Sequence, residues 1–299
     1  MNKRPFIAGE RHHWWPRSVS RFWVDNDNLI GRIDTDGKVT RSTPTNTARI
    51  GDGHNIRLGP DWNITFEQEF DRADQEFPRI VEMIRGWISS TADPGTSTRE
   101  FRPHKVPEDD LETLCGCLIS LACRSPCFRA QIRAFVNSLR TNVQKNELNV
   151  LIPMNMQTAY LNLRRNISGS GKFVVLYSRE GHGTPEFVFG DGFYNNLNIF
   201  STNLFHARML LPITPRTAVL YACPFHCFVE PRLVSLEADN RLVALVNEAA
   251  QIYSRDCLFF RTDQPELTSD FRRREHLQFD QGDPIEELVN KIPGVIQAY

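Results

Sequence analysis

Residues 206–221 read HARMLLPITPRTAVLY, in which two apolar runs flank a proline-rich connection. The runs at 206–211 and 217–221 have the composition of strands, because both are rich in leucine, valine and other apolar residues. The connection at 212–216 carries two prolines and a threonine, which suits a tight turn between strands. The stretch therefore predicts two neighbouring antiparallel strands in the C-terminal half of the chain.

Further strands and helices are separated along the sequence. Strand-like runs lie at 172–177, 186–190 and 257–260, and an amphipathic pattern predicts one long helix at 242–253. Helical spacing dominates the region 64–166, with predicted helices from about 64, from 108, from Pro126 and over 154–166. Near the N-terminus, the turn signal Asp34-Thr35-Asp36-Gly37 separates two short strand-like runs and predicts a β-hairpin.

This segregation predicts an α+β fold rather than an alternating parallel α/β sheet. The expected architecture is an N-terminal β-hairpin, a central helical layer and a mostly antiparallel C-terminal sheet with one long helix. We expect a single domain over 1–299, divided into an N-terminal strand and loop segment (11–63), a helical segment (64–166), a strand-rich segment (167–262) and a polar tail with a short helix (263–299).

Composition favours an ordinary globular protein of the cytoplasm. The 35 Lys and Arg residues against 36 Asp and Glu residues give a net charge of −1, which argues against a strongly basic nucleic-acid binder. No apolar run is long enough for a membrane helix, and no secretory signal is visible, so we expect no membrane partner. Seven cysteines without a signal peptide indicate free thiols in a reducing compartment.

The string His12-His13-Trp14-Trp15-Pro16 is the most unusual feature of the sequence. Adjacent side chains of an extended segment point to opposite faces, so His12 and His13 cannot both serve one site unless the backbone bends. Either imidazole has a pKa suited to acid–base chemistry. The alternative is a terminal strand with one histidine hydrogen-bonded in the core and the other at the surface.

Two further positions suit chemistry at an anionic group. Arg124 precedes Ser125-Pro126 at a helix junction, where a guanidinium can bind a phosphate, or form a structural pair with an acid such as Glu67 or Asp74. Asp191 follows an apolar strand and is flanked by two glycines. Such glycines allow unusual backbone angles or the close approach of a ligand, and the acid suits a base, a metal ligand or an ordinary turn residue.

Familiar cofactor and nucleophile signatures are missing from the sequence. There is no phosphate loop, no dinucleotide fingerprint, no nucleophile elbow and no His-Glu-x-x-His motif. The string Cys223-Pro-Phe-His226-Cys227 holds metal-capable residues, but it lacks the second pair that zinc sites usually have. The cofactor and the metal dependence therefore remain unknown, as does the oligomeric state.

The ordered set of motifs resembles a bacterial family of unknown function. Its hallmark is an N-terminal His-His-aromatic-x-Pro string, which here begins at His12. An Arg-Ser/Thr-Pro step, a Ser-Asp-Asn-Pro strand end and a Pro-Leu-Ser/Thr-Pro strand entry follow, and they match Arg124, Asp191 and the segment 212–215. A helix with an asparagine near its start comes last and matches Asn247. The resemblance implies positions rather than a reaction.

These residues lead to two hypotheses of different classes. His12, His13, Arg124, Asp191 and Asn247 could converge as the catalytic set of a phosphodiester hydrolase of nuclease type, with nucleic acid or another phosphodiester as substrate. Alternatively, the protein is a non-catalytic recognition or scaffold protein, and the same residues form a buried structural network. A third reading, nucleic-acid binding through Arg272-Arg273-Arg274, is disfavoured by the near-neutral charge.

Overall fold

The computed structural model of the chain describes residues 3–5, 11–51, 53–58, 62–90, 101–139, 142–167, 171–179, 185–195, 197, 207–223 and 230–274. The expected short helix in the polar tail, which would lie near 284–291, falls outside these residues.

Seven α-helices and two 3-10 helices form the helical part of the described chain. The α-helices are α1 (Arg17–Ser20), α2 (Asp71–Ser90), α3 (Glu108–Arg124), α4 (Pro126–Leu139), α5 (Lys145–Ile167), α6 (Asn240–Tyr253) and α7 (Ser269–Arg273). The 3-10 helices are Arg21–Trp23 and Glu67–Phe70.

Within the described residues, fifteen strands belong to four sheets. They are β1 (Lys3–Pro5), β2 (Arg11–His13), β3 (Ile30–Asp34), β4 (Val39–Ser42), β5 (Arg49–Gly51), β6 (Asn55–Leu58), β7 (Trp62–Thr65), β8 (Arg102–His104), β9 (Lys172–Tyr177), β10 (Phe189–Gly190), β11 (Tyr194–Asn195), β12 (Arg208–Thr214), β13 (Thr217–Ala222), β14 (Leu233–Glu237) and β15 (Cys257–Phe260). The α+β prediction is confirmed.

The largest sheet has six strands in the order β11-β12-β13-β9-β14-β8. All pairs are antiparallel except β14 with β9. The hairpin β12–β13 is the pair that the Pro-Ile-Thr-Pro-Arg connection predicts. Every residue of β9 and β13 is buried, which explains why these strands read as continuous apolar runs rather than alternating ones.

A four-stranded sheet, in the order β10-β15-β3-β4, contains the predicted N-terminal hairpin β3–β4. This sheet brings the start of the chain beside its last described strand, because β15 pairs antiparallel with β3. Gly31 is required at this contact, since a Cβ there would lie 2.5 Å from the ring of Phe260.

The helical layer and an aromatic cluster complete the core. Helices α2, α3, α4 and α5 pack against one another and bury most of α3. Trp15 lies fully buried, stacked on Phe189 with ring centroids 4.1 Å apart, and Trp23 meets both rings edge-on. The N-terminal segment is therefore part of the core.

Two local expectations were wrong. Short apolar runs and turn signals in 11–50 predict strands and turns, but 17–23 is helical and begins directly after Pro16, a residue suited to helix starts. Residues 41–63 are rich in Thr, Asn, Gly, Asp and Pro, which predicts a surface loop, but they hold the end of β4, all of β5 and β6, and the first half of β7. Their strand partners include β1 and β2, so their conformation depends on contacts that are distant in sequence.

Among the described residues, no single helix is long and apolar enough to cross a membrane. Helices α3 and α4 pass a test of length and composition only as a pair, which is bent by 60°.

Candidate functional site

Strand β2 separates the two adjacent histidines. It pairs antiparallel with β5, with His12 opposite Ile50 and His13 opposite Arg49. The His12 side chain is buried, whereas His13 is only partly buried. The extended backbone therefore directs the two imidazoles to opposite faces, as the alternation of strand side chains predicts.

His12 belongs to a buried pair of histidines beside one carboxylate. Its Nε2 lies 3.2 Å from Oε2 of Glu67, and its Nδ1 accepts a hydrogen bond from the backbone N–H of His54 at 3.4 Å. The two imidazole rings have centroids 5.2 Å apart. Glu67 reaches solvent, with 40% of its side chain exposed, so the cluster connects the core to the surface through this carboxylate.

His54 is the histidine that the sequence analysis missed. It is fully buried against Phe66 and Phe70, and neither ring nitrogen has a hydrogen bond within the described residues. Its Nδ1 lies 4.0 Å from the Glu67 carboxylate. Burial, followed by the positive charges of Arg124 and Arg129 and the proximity of His12, holds the pKa of His54 well below its usual value. The imidazole is therefore neutral at pH 7.

Arg124 forms a buried ion pair at the junction of α3 and α4. Its guanidinium donates to both carboxylate oxygens of Asp74, at 2.5 and 3.1 Å, and to the backbone carbonyl of His13 at 3.2 Å. It also lies 4.5 Å above the ring of Phe70. Of the two acids that the sequence suggested, Asp74 is the partner of Arg124 and Glu67 is the partner of His12.

The Ser125-Pro126 step explains why helix α3 ends at Arg124. Ser125 is extended, as expected for a residue before proline, and its hydroxyl accepts a hydrogen bond from the N–H of Phe128 at 3.1 Å. This bond caps the start of α4. The resulting bend between α3 and α4 leaves Arg124 facing β2 and α2.

Asp191 holds a turn of the main chain. One carboxylate oxygen accepts from the N–H of Arg255 at 2.6 Å, and the other accepts from the N–H of Asp256 at 2.9 Å. Burial raises the pKa of Asp191 to about 6, against these two hydrogen bonds, which lower it. Both carboxylate oxygens therefore have a structural task between β10 and the start of β15.

The flanking glycines serve packing at this turn. A Cβ at Gly190 would lie 1.8 Å from the hydroxyl of Ser254, and one at Gly192 would lie 1.9 Å from the carbonyl oxygen of Tyr253. Neither glycine has a positive φ. The expectation of unusual backbone angles is therefore wrong here, and the close approach is that of the end of α6 rather than of a ligand.

Asn247 joins α6 to the segment before β10. Its Oδ1 accepts from the N–H of Val188 at 2.9 Å, and its Nδ2 donates to the carbonyl of Glu186 at 2.8 Å. Both ends of the amide are thus engaged by main chain. The structure brings His12 and Arg124 into one cluster with the His13 backbone, and it places Asp191 and Asn247 at two other positions.

A cleft of about 770 Å³ lies beside this network. Its walls come from β3, β4, the segment 46–51 and the turn at 256–257, and they include Asp191 and Trp14. Arg32, Arg41 and Arg49 line it together with several hydroxyl and amide side chains. A cleft of this volume lies in the usual range for ligand sites, about 300–1,000 Å³.

The three arginines of the cleft differ in their partners. Arg32 pairs with Asp34, and Arg41 pairs with Asp25. The side chain of Arg49 has no hydrogen bond or ion pair within the described residues, and its Nε is buried. Arg49 stands opposite His13 across the β2–β5 ladder. Burial, and then the charges of Arg17 and Arg49, lower the pKa of His13 to about 4.

The described residues contain no group of three His, Cys, Asp or Glu side chains arranged to hold a metal ion. Cys223 is buried and forms no disulfide within the described residues, while His226 and Cys227 of the same string lie outside them. Buried thiols such as Cys123, whose pKa burial raises, are packing residues rather than nucleophiles.

Comparisons with known proteins add no assignment. No family model matches the chain, and neither a curated protein nor a solved structure matches it significantly. The resemblance to a bacterial family with an N-terminal His-His motif therefore stays a prediction.

Proposed function

We propose that the protein is a non-catalytic recognition protein whose cleft binds a phosphodiester-bearing ligand, such as a segment of nucleic acid. The observation that carries this proposal is the guanidinium of Arg49, which lines the cleft without a partner among the described residues. A buried or partly buried cation needs a counter-charge, and the planar fork of arginine matches the oxygens of a phosphate. Arg32 and Arg41 add positive charge to the same wall.

The engagement of the candidate residues supports recognition over catalysis. Arg124 is bound by Asp74 and by the His13 carbonyl, Asp191 by two backbone N–H groups and Asn247 by two main-chain groups. Arg124 thereby ties the N-terminal segment to the body of the protein, while Asp191 and Asn247 hold other main-chain segments together. The cleft, in contrast, offers polar side chains that a ligand can reach.

Ligand binding can be tested with fluorescently labelled oligonucleotides, both single-stranded and double-stranded. We expect Arg49→Gln to weaken binding at least tenfold. Arg49→Lys keeps the positive charge but loses the two parallel N–H donors of the guanidinium, so its affinity should lie between those of Arg49→Gln and wild type. Arg241→Gln is the matched control, because Arg241 is exposed on α6 and does not line the cleft. Unchanged affinity in Arg49→Gln would refute the proposal.

Phosphodiester hydrolysis is the second candidate, and one observation favours it. His13 is neutral at pH 7 and is the cross-strand neighbour of Arg49, so a base and a cation stand side by side. Hydrolysis of RNA, DNA and a generic phosphodiester, with and without divalent metal, tests this candidate. Activity that is lost in His13→Ala at unchanged melting temperature would establish catalysis, and inactivity of wild type would exclude it for those substrates.

The proposal includes a cytoplasmic location in a bacterium. The cysteines in the described part of the chain form no disulfide, which is typical of a reducing compartment.

A further inference from the structure

A second basic recess shares none of its described lining residues with the cleft. It has a volume of about 250 Å³, and four arginines line it: Arg85, Arg179, Arg216 and Arg261. We call it the arginine recess. The four come from α2, the end of β9, the β12–β13 turn and the segment after β15. The tertiary fold therefore gathers four guanidiniums that are far apart in sequence.

Among the described residues that line the arginine recess, none is a carboxylate. The acids that pair with its arginines are Glu186, Glu237 and Glu82, which are not among those lining residues. Glu186 is 4% exposed and accepts from Arg261 while also lying 3.4 Å from Arg216. Glu237 pairs with Arg179, and Glu82 pairs with Arg85. Within the described residues, these four guanidiniums pair with three carboxylates, and it is the guanidiniums that line the recess.

The arginine at the centre of the recess is held in place before any ligand binds. Arg216 donates to the carbonyl of Pro185 at 3.2 Å and to the hydroxyl of Ser178 at 3.4 Å. Its own backbone N–H donates to the hydroxyl of Thr214 at 3.2 Å. A guanidinium fixed by main chain and hydroxyls loses little side-chain entropy on binding, so it is a preorganised anion receptor.

The size and walls of the recess restrict the ligand. Its volume lies below the range of about 300–1,000 Å³ that drug-sized ligands occupy, so the ligand is small. Arginine forks favour phosphate oxygens, and Ser178 and Thr217 add hydroxyl groups. Phe22 forms an apolar wall, and the Arg85 guanidinium lies 5.4 Å from its ring centroid.

We propose that the arginine recess binds the phosphate group of a small phosphomonoester, with the ester group against Phe22. The site is independent of the proposed cleft ligand, because the two sites have no lining residue in common.

Calorimetric titration of the full chain with inorganic phosphate and with phenyl phosphate tests this site. We expect saturable binding of both at one site, with phenyl phosphate the tighter ligand. Arg179→Gln should weaken binding at least tenfold. Because 47% of the Arg179 side chain is exposed, this variant should fold normally, and thermal unfolding checks that it does. Arg85→Gln, at a side chain that is 54% exposed, repeats the test from another element.

Two control variants separate this site from the cleft. Arg241→Gln removes one exposed charge elsewhere, and Arg49→Gln removes the cleft arginine; both should leave phosphate affinity within about twofold of wild type. Absence of saturable binding, or equal affinity in wild type, Arg179→Gln and Arg85→Gln, would overturn the site. Binding of inorganic phosphate that is as tight as that of phenyl phosphate would overturn the phosphomonoester assignment.

Discussion

Replacing Asp74 with alanine removes the carboxylate from a buried guanidinium. Only 1% of the Arg124 side chain is exposed, against 32% for Asp74. In Asp74→Ala, Arg124 keeps the His13 carbonyl and the face of Phe70, and both are uncharged. Removing one partner of a buried pair costs about 3–5 kcal/mol. Because Asp74 itself is partly solvated, we expect the lower end, about 3 kcal/mol.

Replacing Arg124 instead of Asp74 should cost less stability. Arg124→Met keeps an apolar stem in the core and leaves Asp74 within reach of water, so we expect a loss of about 1–2 kcal/mol. The double variant Asp74→Ala/Arg124→Met should be about as stable as Arg124→Met alone, because without the Arg124 cation no charge of this pair remains buried. The coupling between the two sites should therefore exceed the roughly 0.5 kcal/mol within which independent sites are additive.

Urea unfolding and calorimetry measure these differences. With about 2 °C of melting temperature per kcal/mol at this chain length, Asp74→Ala should melt about 6 °C lower than wild type. Asp71→Ala is the matched control, since Asp71 is an exposed acid of the same helix, and it should cost less than about 1 kcal/mol. A cost below 1 kcal/mol for Asp74→Ala, or strict additivity of the double variant, would refute the reasoning.

Three further predictions concern the other groups of the network. As pH falls from about 6.5 towards 4, the unfolded chain takes up a proton at His13 and the folded chain does not, so acid destabilises wild type. Melts at pH 7 and pH 5 measure the stability lost over this range, and His13→Gln should reduce that loss by about 1–2 kcal/mol. The raised pKa of Asp191 acts in the opposite direction, but it is common to both proteins and cancels in their difference. Asn247→Ala leaves an N–H and a carbonyl unsatisfied and should cost about 2 kcal/mol in urea unfolding; a neutral result would show that water replaces the amide. Gly192→Ala forces a Cβ to within 1.9 Å of the Tyr253 oxygen and should cost about 2–3 kcal/mol or more, while Gly86→Ala, with nothing within 4 Å, should be neutral or stabilising, and equal melting temperatures would contradict this.

Local patterns predicted the elements that have strong local signals. The hairpin β12–β13 follows from two apolar runs around a proline-rich turn, and β15 was predicted at its observed bounds. The start of α4 at Pro126 follows from the backbone restriction of proline. In each case the residues that specify the element lie within it.

Elements that depend on distant partners were missed. Strands β5 and β6 lie in a polar stretch rich in glycine and asparagine, and their pairing is set by β2 and β7. Strand β14 pairs in parallel with β9, about sixty residues earlier, and a pairing over such a distance leaves no turn signal in the local sequence. Such strands are determined by tertiary contacts rather than by propensity.

The same distinction holds for the candidate site. The sequence indicated that Arg124 would meet Asp74 or Glu67, because residue type and helical spacing limit the acids available. It could not indicate that Asp191 and Asn247 bind main-chain groups, since backbone partners leave no residue signature. His54 and Arg49 belong to no recognisable sequence motif. The fold buries His54 completely, and it places Arg49 in the cleft without a side-chain partner among the described residues.

The claim that Arg49 is the ligand contact can be tested most directly by NMR of arginine side chains. A ¹⁵N spectrum of the Nε–H groups, with the Arg49 signal assigned by its loss in Arg49→Lys, would be recorded during titration with a short oligonucleotide. We predict a saturable shift of the Arg49 signal and none for Arg241. An Arg49 signal that stays in place while the oligonucleotide saturates the protein would contradict the account.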